Sequence, residues 1–186
     1  INSAGALSFA PAADFEAPSD AGADNVYDVV VTVSDGTLSD SQALTISVTD
    51  GNDNEQVIAT NTGATLGEGA LDSVITSAML ATTDADTPAS GLVYTLSALP
   101  SRGTLSLSGS ALALNATFIQ ADIDAGALRY SHDGSESSAD SFSFSVNDGS
   151  GSASSGTFAI SITPVNDQAP VITSNSGGAA AALSVA

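Results

Sequence analysis

Apolar and small polar residues alternate along most of this chain. Tyr27, Val29, Val31 and Val33 stand against Asp28, Thr32 and Ser34, and the same alternation returns in Leu44, Ile46 and Val48 and in Leu92, Tyr94 and Leu96. It returns again in Phe142, Phe144 and Val146 and in Phe158, Ile160 and Ile162, with serine or threonine between most of them. A period of two residues is that of a strand with one face buried and one face wet. Turn chemistry separates the runs at Asp35-Gly36, Gly67-Glu68-Gly69, Gly109, Asp133-Gly134 and Asp148-Gly149, and the stretch from Gln120 to Ala125 is the one hint of a helical turn. Short strands at this spacing predict an all-β chain of Ig-like, Greek-key β-sandwiches in tandem.

The alternating pattern also repeats at long range. Val33-Ser34-Asp35-Gly36 returns as Val146-Asn147-Asp148-Gly149, and Ile46-Ser47-Val48-Thr49 as Ile160-Ser161-Ile162-Thr163, at an offset of 113–114 residues. Asn52-Asp53 returns as Asn166-Asp167, and Val57-Ile58 with Asn61 and Gly63 returns as Val171-Ile172 with Asn175 and Gly177. Three successive units are therefore expected: residues 1–53 as the C-terminal half of one sandwich, 54–168 as a complete one, and 169–186 as the opening strand of a third. A half sandwich leaves strand edges and half a core to be completed, by more of the same polypeptide or by a neighbouring copy.

Charge narrows the function. The chain carries 21 acidic residues against Arg102 and Arg129, has no lysine, and has a formal net charge of −19. Phosphate backbones and anionic lipid would be repelled, which excludes nucleic acid and acidic membranes as partners. The 42% hydrophobic content is too high for disorder, so the acids must be tolerated in a folded state, and bound cations are the economical means. Cysteine is absent, which leaves metal as the brace available to small domains. No apolar run approaches the roughly 18–20 residues that cross a bilayer as a helix, and no basic and apolar leader opens the sequence, so membrane insertion is not expected and any secretion signal would lie outside this segment.

The acids are clustered where units meet. Asp50, Asn52, Asp53 and Asn54 fall within one linker, and their closely spaced oxygens are the hard ligands that calcium takes; zinc would call for histidine or cysteine. Upstream, Asp14-Phe15-Glu16 places two carboxylates at alternate positions with Phe15 turned inward. The set resembles the cadherin repeat, in which an Asp-x-Glu segment and an Asp-x-Asn-Asp-Asn linker bind calcium with an Asp-x-Asp loop of the next domain, here Asp84-Ala85-Asp86. The resemblance implies that Asp35 and Asp148 each face the junction preceding their own domain, and that Glu68 serves the second junction with Asn166 and Asp167. That second linker has Pro164 where the first has Asp50, so fewer or weaker ions are expected there.

Residues 54–168 also resemble the cadherin-like repeats of chondroitin-sulfate proteoglycans, which recur in giant bacterial RTX-type surface adhesins. The likeness lies in Phe118-Ile119-Gln120-Ala121-Asp122-Ile123 and Tyr130-Ser131-His132-Asp133-Gly134, and Asp133 and Glu136 stand in for the Asp-x-Glu pair. It implies an extracellular, cell-surface, calcium-dependent extender segment, whose partners are neighbouring repeats of the same chain or neighbouring copies. A carbohydrate-binding or self-binding adhesion module and a fibre-forming subunit are the alternatives. Asp72, Asp122, Asp124 and Asp140 are expected to be solvated turn formers. No enzyme is expected: there is no Gly-x-Ser-x-Gly elbow, and His132, the sole histidine, lacks the partners of a triad or a zinc site.

Overall fold

The computed structural model describes residues 5–169. All but the first residue of the expected third-unit strand therefore lies outside the described residues. Alternation becomes strand wherever a turn-forming pair releases it. β1 (Val26–Ser34) and β2 (Ser39–Ser47) are antiparallel, with Val29 opposite Leu44 and Val33 opposite Asp40. Their connection is held by Asp35, whose Oδ1 accepts the Thr37 and Leu38 amides, each at 2.8 Å. After the linker come β3 (Val57–Asn61), β4 (Ala64–Gly67), β5 (Ser73–Val74), β6 (Leu80–Thr83), β7 (Val93–Ala98), β8 (Gly103–Leu107), β9 (Ser110–Ala111) and β10 (Thr117–Ile119). The single helical turn α1 (Gln120–Asp124) falls where expected, and β11 (Leu128–His132), β12 (Ala139–Asn147) and β13 (Ser154–Thr163) follow.

Two sheets face each other in residues 57–163. One has the order β10-β7-β12-β13-β4, antiparallel except that β13 and β4 run parallel; the other has the order β5-β11-β8-β9. β3 pairs with β6 beside them. The inward positions are the predicted ones: Tyr94, Leu96, Phe142, Phe144, Val146, Phe158, Ile160 and Ile162 are buried against Leu105, Leu128 and Tyr130. Burying each large apolar side chain contributes about 1.5–3 kcal/mol. Aromatic rings interlock, with Tyr94 stacked on Phe118 at 4.9 Å between centroids and Phe142 on Phe158 at 5.1 Å. Gly63, at φ +75°, brings the β3–β4 turn against the Ala159 carbonyl, where any Cβ would collide with backbone.

The β1–β2 hairpin repeats the sequence pattern of β12–β13 but not its burial. Val29, Val31, Leu44 and Ile46 are half-buried, and Val30, Val33 and Leu38 are exposed. The segment before the hairpin lies over one side of it, with Phe9 packed edge-on to Tyr27 at 4.8 Å.

One expectation fails inside the sandwich. Asp140 is a buried carboxylate, not a solvated turn former: Oδ1 accepts the Ser101 and Ser141 amides at 2.9 Å, and Oδ2 accepts the Arg102 amide at 3.0 Å and the Tyr130 hydroxyl at 2.8 Å. Desolvation is outweighed by these hydrogen bonds, which hold its pKa below the usual carboxylate value. Asp122 caps α1 by accepting the Ile119 amide at 2.9 Å, and Asp124 accepts from buried Gln120 at 2.8 Å.

Candidate functional site

The first linker is laid onto the loop after β6 by its own backbone. Asp86 Oδ2 accepts the amides of Asp53 at 2.9 Å and Asn54 at 2.8 Å, and the Asn54 side chain reaches Asp86 Oδ1 at 3.1 Å. These donors hold the Asp86 pKa down, the Asn54 amide first. Asp84 shapes that loop, with Oδ1 accepting the Asp86 and Thr87 amides at 2.9 and 2.7 Å. Asn52 joins a third segment, donating to Thr87 Oγ1 at 3.2 Å and to the Asp148 carbonyl at 3.3 Å. Glu16 arrives from the other side, and one carboxylate oxygen each of Glu16, Asp50 and Asp86 lies within 4.8 Å of the others. The Glu16 pKa is raised, first by desolvation and also by the Asp86 and Asp50 charges.

Other expected ligands lie outside the three-acid group. Asp14 Oδ1 accepts the Glu16 and Ala17 amides at 3.1 and 3.0 Å, so Asp14 orients Glu16 and stands outside the three-acid group. Asp53 contributes its amide to Asp86, and its exposed carboxylate meets the Asn54 side chain at 3.4 Å. Asp35 caps its own hairpin loop and is brought into neither acidic group.

A second group forms at the other end of the sandwich from Glu68, Glu136 and Asp167, again within 4.8 Å. The β4 end carries Glu68 to the outgoing linker, where Oε2 accepts the Val165 amide at 2.8 Å. The Glu136 pKa is raised by desolvation and then by Glu68 and Asp167. Asp133 is not in the group; its Oδ1 accepts the Ser135 amide at 2.9 Å, and Ser135 keeps its pKa low. Glu136, expected to stand in for the Asp-x-Glu pair, thus joins the group, while Pro164 supplies no carboxylate. His132 organises the loops that carry these acids: its buried ring accepts the Gly69 and Gly134 amides on Nδ1 at 3.1 and 3.2 Å, and Nε2 lies 2.9 Å from Ser137 Oγ. With Nδ1 an acceptor, the proton sits on Nε2.

The alternation gave no sign of Glu55 and Gln56, which seal the linker to the β12–β13 turn. The Glu55 carboxylate accepts the Ser152 amide at 3.2–3.3 Å. Buried Gln56 donates to the Ser152 carbonyl at 2.7 Å, and its own carbonyl accepts Ser154 Oγ at 3.1 Å.

The donor set at both junctions is all oxygen, which suits a hard cation. Polar atoms without partners point the same way. Asp84 Oδ2 and Asp148 Oδ2 at the first junction and Glu68 Oε1 at the second are buried and accept no hydrogen bond, a costly state for a carboxylate oxygen unless a cation serves it.

A family model described as cadherin-like matches residues 56–162. Among curated proteins, FRAS1-related extracellular matrix protein 1 of Homo sapiens is 38% identical over 86 residues, 46% of this chain and 4% of its own length. Extracellular matrix protein 3 of Lytechinus variegatus is 38% identical over 111 residues, 60% of this chain and 3% of its own length. Human chondroitin sulfate proteoglycan 4 is 33% identical over 117 residues, 61% of this chain and 5% of its own. The chain therefore spans a small fraction of each. Among solved structures, EC1-2 of human protocadherin-24 superposes with a TM-score of 0.53 at 19% identity, covering 83% of this chain and 70% of that one, a likeness of fold. No helix among the described residues is long and apolar enough to cross a membrane. With more than half its length matched, this chain belongs to the cadherin-like family, a family of non-enzymatic adhesion and extracellular-matrix domains.

Proposed function

We propose that this chain is a calcium-stiffened extender segment of an extracellular tandem array, with residues 1–53, 54–168 and 169–186 belonging to three successive units. The observation that carries the reading is the first junction. Glu16 from one side and Asp86 from the other meet Asp50 of the linker, while Asp84 and Asp148 each hold a buried oxygen without a donor. Bound calcium would supply a hard divalent centre that accepts six to eight oxygens and neutralises clustered carboxylates. Glu16, Asp50, Asp84, Asp86 and Asp148 would hold it at the first junction, and Glu68, Glu136 and Asp167 at the second. Without a cation, desolvation and then the Asp86 and Asp50 charges raise the Glu16 pKa, so the three carboxylates repel one another unless a cation joins them.

The partners in this reading are neighbouring repeats of the same chain, and the setting is a cell surface or matrix, as the names of the matrix relatives suggest; a bacterial surface adhesin is one such array. The test is small-angle scattering and thermal melting of the chain in calcium and in EGTA, with Glu16→Gln and Glu68→Gln in parallel. Calcium should lengthen the particle and raise its melting temperature, and each variant should lose part of that response. No response of either quantity refutes the proposal.

A further inference from the structure

We propose that Asp50-Gly51 is a site of spontaneous aspartate isomerisation that ages the first junction. The chain has four Asp-Gly dipeptides, at Asp35, Asp50, Asp133 and Asp148. Isomerisation needs a backbone amide free to attack and a carboxyl group free to turn towards it, and glycine suits the step because it has no Cβ to hinder it. Three of the four are tied at both points. Gly36 N–H donates to Ser34 Oγ at 3.1 Å while Asp35 Oδ1 accepts two amides. Gly134 N–H donates to His132 Nδ1 at 3.2 Å while Asp133 Oδ1 accepts the Ser135 amide. Gly149 N–H donates to Asn147 Oδ1 at 2.8 Å while buried Asp148 accepts the Ser150 amide.

Asp50 and Gly51 have neither restraint. Both are exposed, neither belongs to a strand, and neither the Gly51 amide nor the Asp50 carboxylate makes a hydrogen bond among the described residues. The reaction balances without a co-reactant other than water. The Gly51 nitrogen forms a bond to Asp50 Cγ, the carboxyl C–OH bond breaks, and the amide proton leaves with that oxygen as one water, giving a succinimide. One water then opens the ring at either carbonyl and yields aspartate or isoaspartate. In isoaspartate the chain runs through the former side chain, so residue 50 gains a backbone methylene and its carboxylate leaves the position facing Glu16 and Asp86.

Two hydrogen bonds lost on the way to attack slow the tied sites by about thirtyfold relative to Asp50. The intact chain is held at physiological temperature and neutral pH in EGTA. It is then cleaved with a glutamyl endopeptidase and mapped by isoaspartyl methyltransferase labelling and electron-transfer fragmentation. Isoaspartate should accumulate first and fastest at residue 50 and should be suppressed by Gly51→Ala, a change with open space for its Cβ and no positive φ to oppose it. Equal or faster accumulation at residue 35, 133 or 148, or indifference to Gly51→Ala, overturns the proposal. A parallel arm in millimolar calcium rests on the function proposed above. A slower rate at residue 50 supports Asp50 as a ligand, whereas an unchanged rate with the same ranking of the four sites refutes that ligand role and leaves the isomerisation site standing.

Discussion

Replacing Asp140 by asparagine removes a charge from a position that is 9% exposed while keeping its shape. The carboxylate accepts three backbone amides and two hydroxyls: the Ser101 and Ser141 amides and, at 3.4 Å, the Ser101 hydroxyl on Oδ1, and the Arg102 amide and Tyr130 hydroxyl on Oδ2. In the best orientation the new amide nitrogen takes the place of Oδ2. Tyr130 can then turn its proton to the Arg102 carbonyl, already 3.3 Å away, which leaves the Arg102 N–H facing a donor. One unsatisfied amide costs about 1–3 kcal/mol, and the surviving bonds on Oδ1 lose their charge assistance. Asp140→Asn should therefore cost about 2–3 kcal/mol, and Asp140→Ala, which strands the three backbone amides, about 3–5 kcal/mol. Tyr130→Phe, which leaves the three amides on the carboxylate, should cost about 1–2 kcal/mol. For a sandwich of this size, 2 kcal/mol lowers the melting temperature by roughly 8 °C. Calorimetry in EGTA isolates the network from any bound metal. Because the folded pKa of Asp140 lies below its ordinary value of 3.8, the charge stabilises fully above that value. The contribution is lost as pH falls through the lower folded pKa, so the gap between wild type and Asp140→Ala should narrow in acid. An Asp140→Asn protein within about 0.5 kcal/mol of wild type, the range of ordinary surface substitutions, would refute this accounting.

Three further outcomes are expected. Glu16→Gln removes a carboxylate whose pKa is raised by desolvation and then by Asp86 and Asp50, so in EGTA it should melt no lower than wild type, while its calcium-dependent gain in melting temperature should shrink. His132→Phe strands the Gly69 and Gly134 amides and should cost about 2 kcal/mol. By calcium titration calorimetry, it should also weaken second-junction binding by about tenfold, as loss of an outer-shell support does, and leave the first junction unchanged. Phe158→Ala, at a fully buried site, should cost about 3–5 kcal/mol. Leu44→Ala, its equivalent in the half-buried hairpin, should cost about 1 kcal/mol, read from denaturant unfolding.

Period-two alternation exposed the buried faces of β7, β12 and β13, because there one face meets a core and the other meets water. The repeat located the matching hairpins β1–β2 and β12–β13. The two-residue strands β5 and β9 were illegible, being too short to show a period. So was the parallel pairing of β4 with β13, which depends on a long-range return of the chain. Buried polar residues defeated the reading for a different reason. Asp140, Gln56 and Gln120 are inside because particular donors and acceptors meet them there, and a one-letter pattern records polarity without recording partners. The acids were recognisable as a set, but their division was not. Asp14, Asp35 and Asp133 stand outside both three-acid groups, and each accepts nearby backbone amides on Oδ1, as Asp84 and Asp148 also do. Glu136, a looser match by spacing, sits within the second group.

The arrangement of hydrogen bonds around the first linker locates where a joint without metal can bend. Residues 52–56 are fixed to the sandwich of residues 57–163 through Asn52, the amides of Asp53 and Asn54, Glu55 and Gln56. On the other side, the β1–β2 hairpin ends its hold with the Val48 amide on the Asn25 carbonyl at 2.9 Å. Between them, Thr49, Asp50 and Gly51 make no hydrogen bond among the described residues, and Asp50 belongs to the acidic group that joins Glu16 to Asp86. A cation held there would close the one gap that the backbone leaves open, altering the angle between units more than the fold of either. Fixing three residues costs about 3–6 kcal/mol of conformational entropy, which is subtracted from the binding energy. The apparent affinity should accordingly fall in the weak range typical of extracellular calcium modules, about 10⁻⁴–10⁻³ M. Shortening the gap by deleting Thr49 should disturb the interunit geometry in scattering while leaving the sandwich melt in EGTA unchanged; a lowered melt would show that the gap is part of the fold and not a hinge.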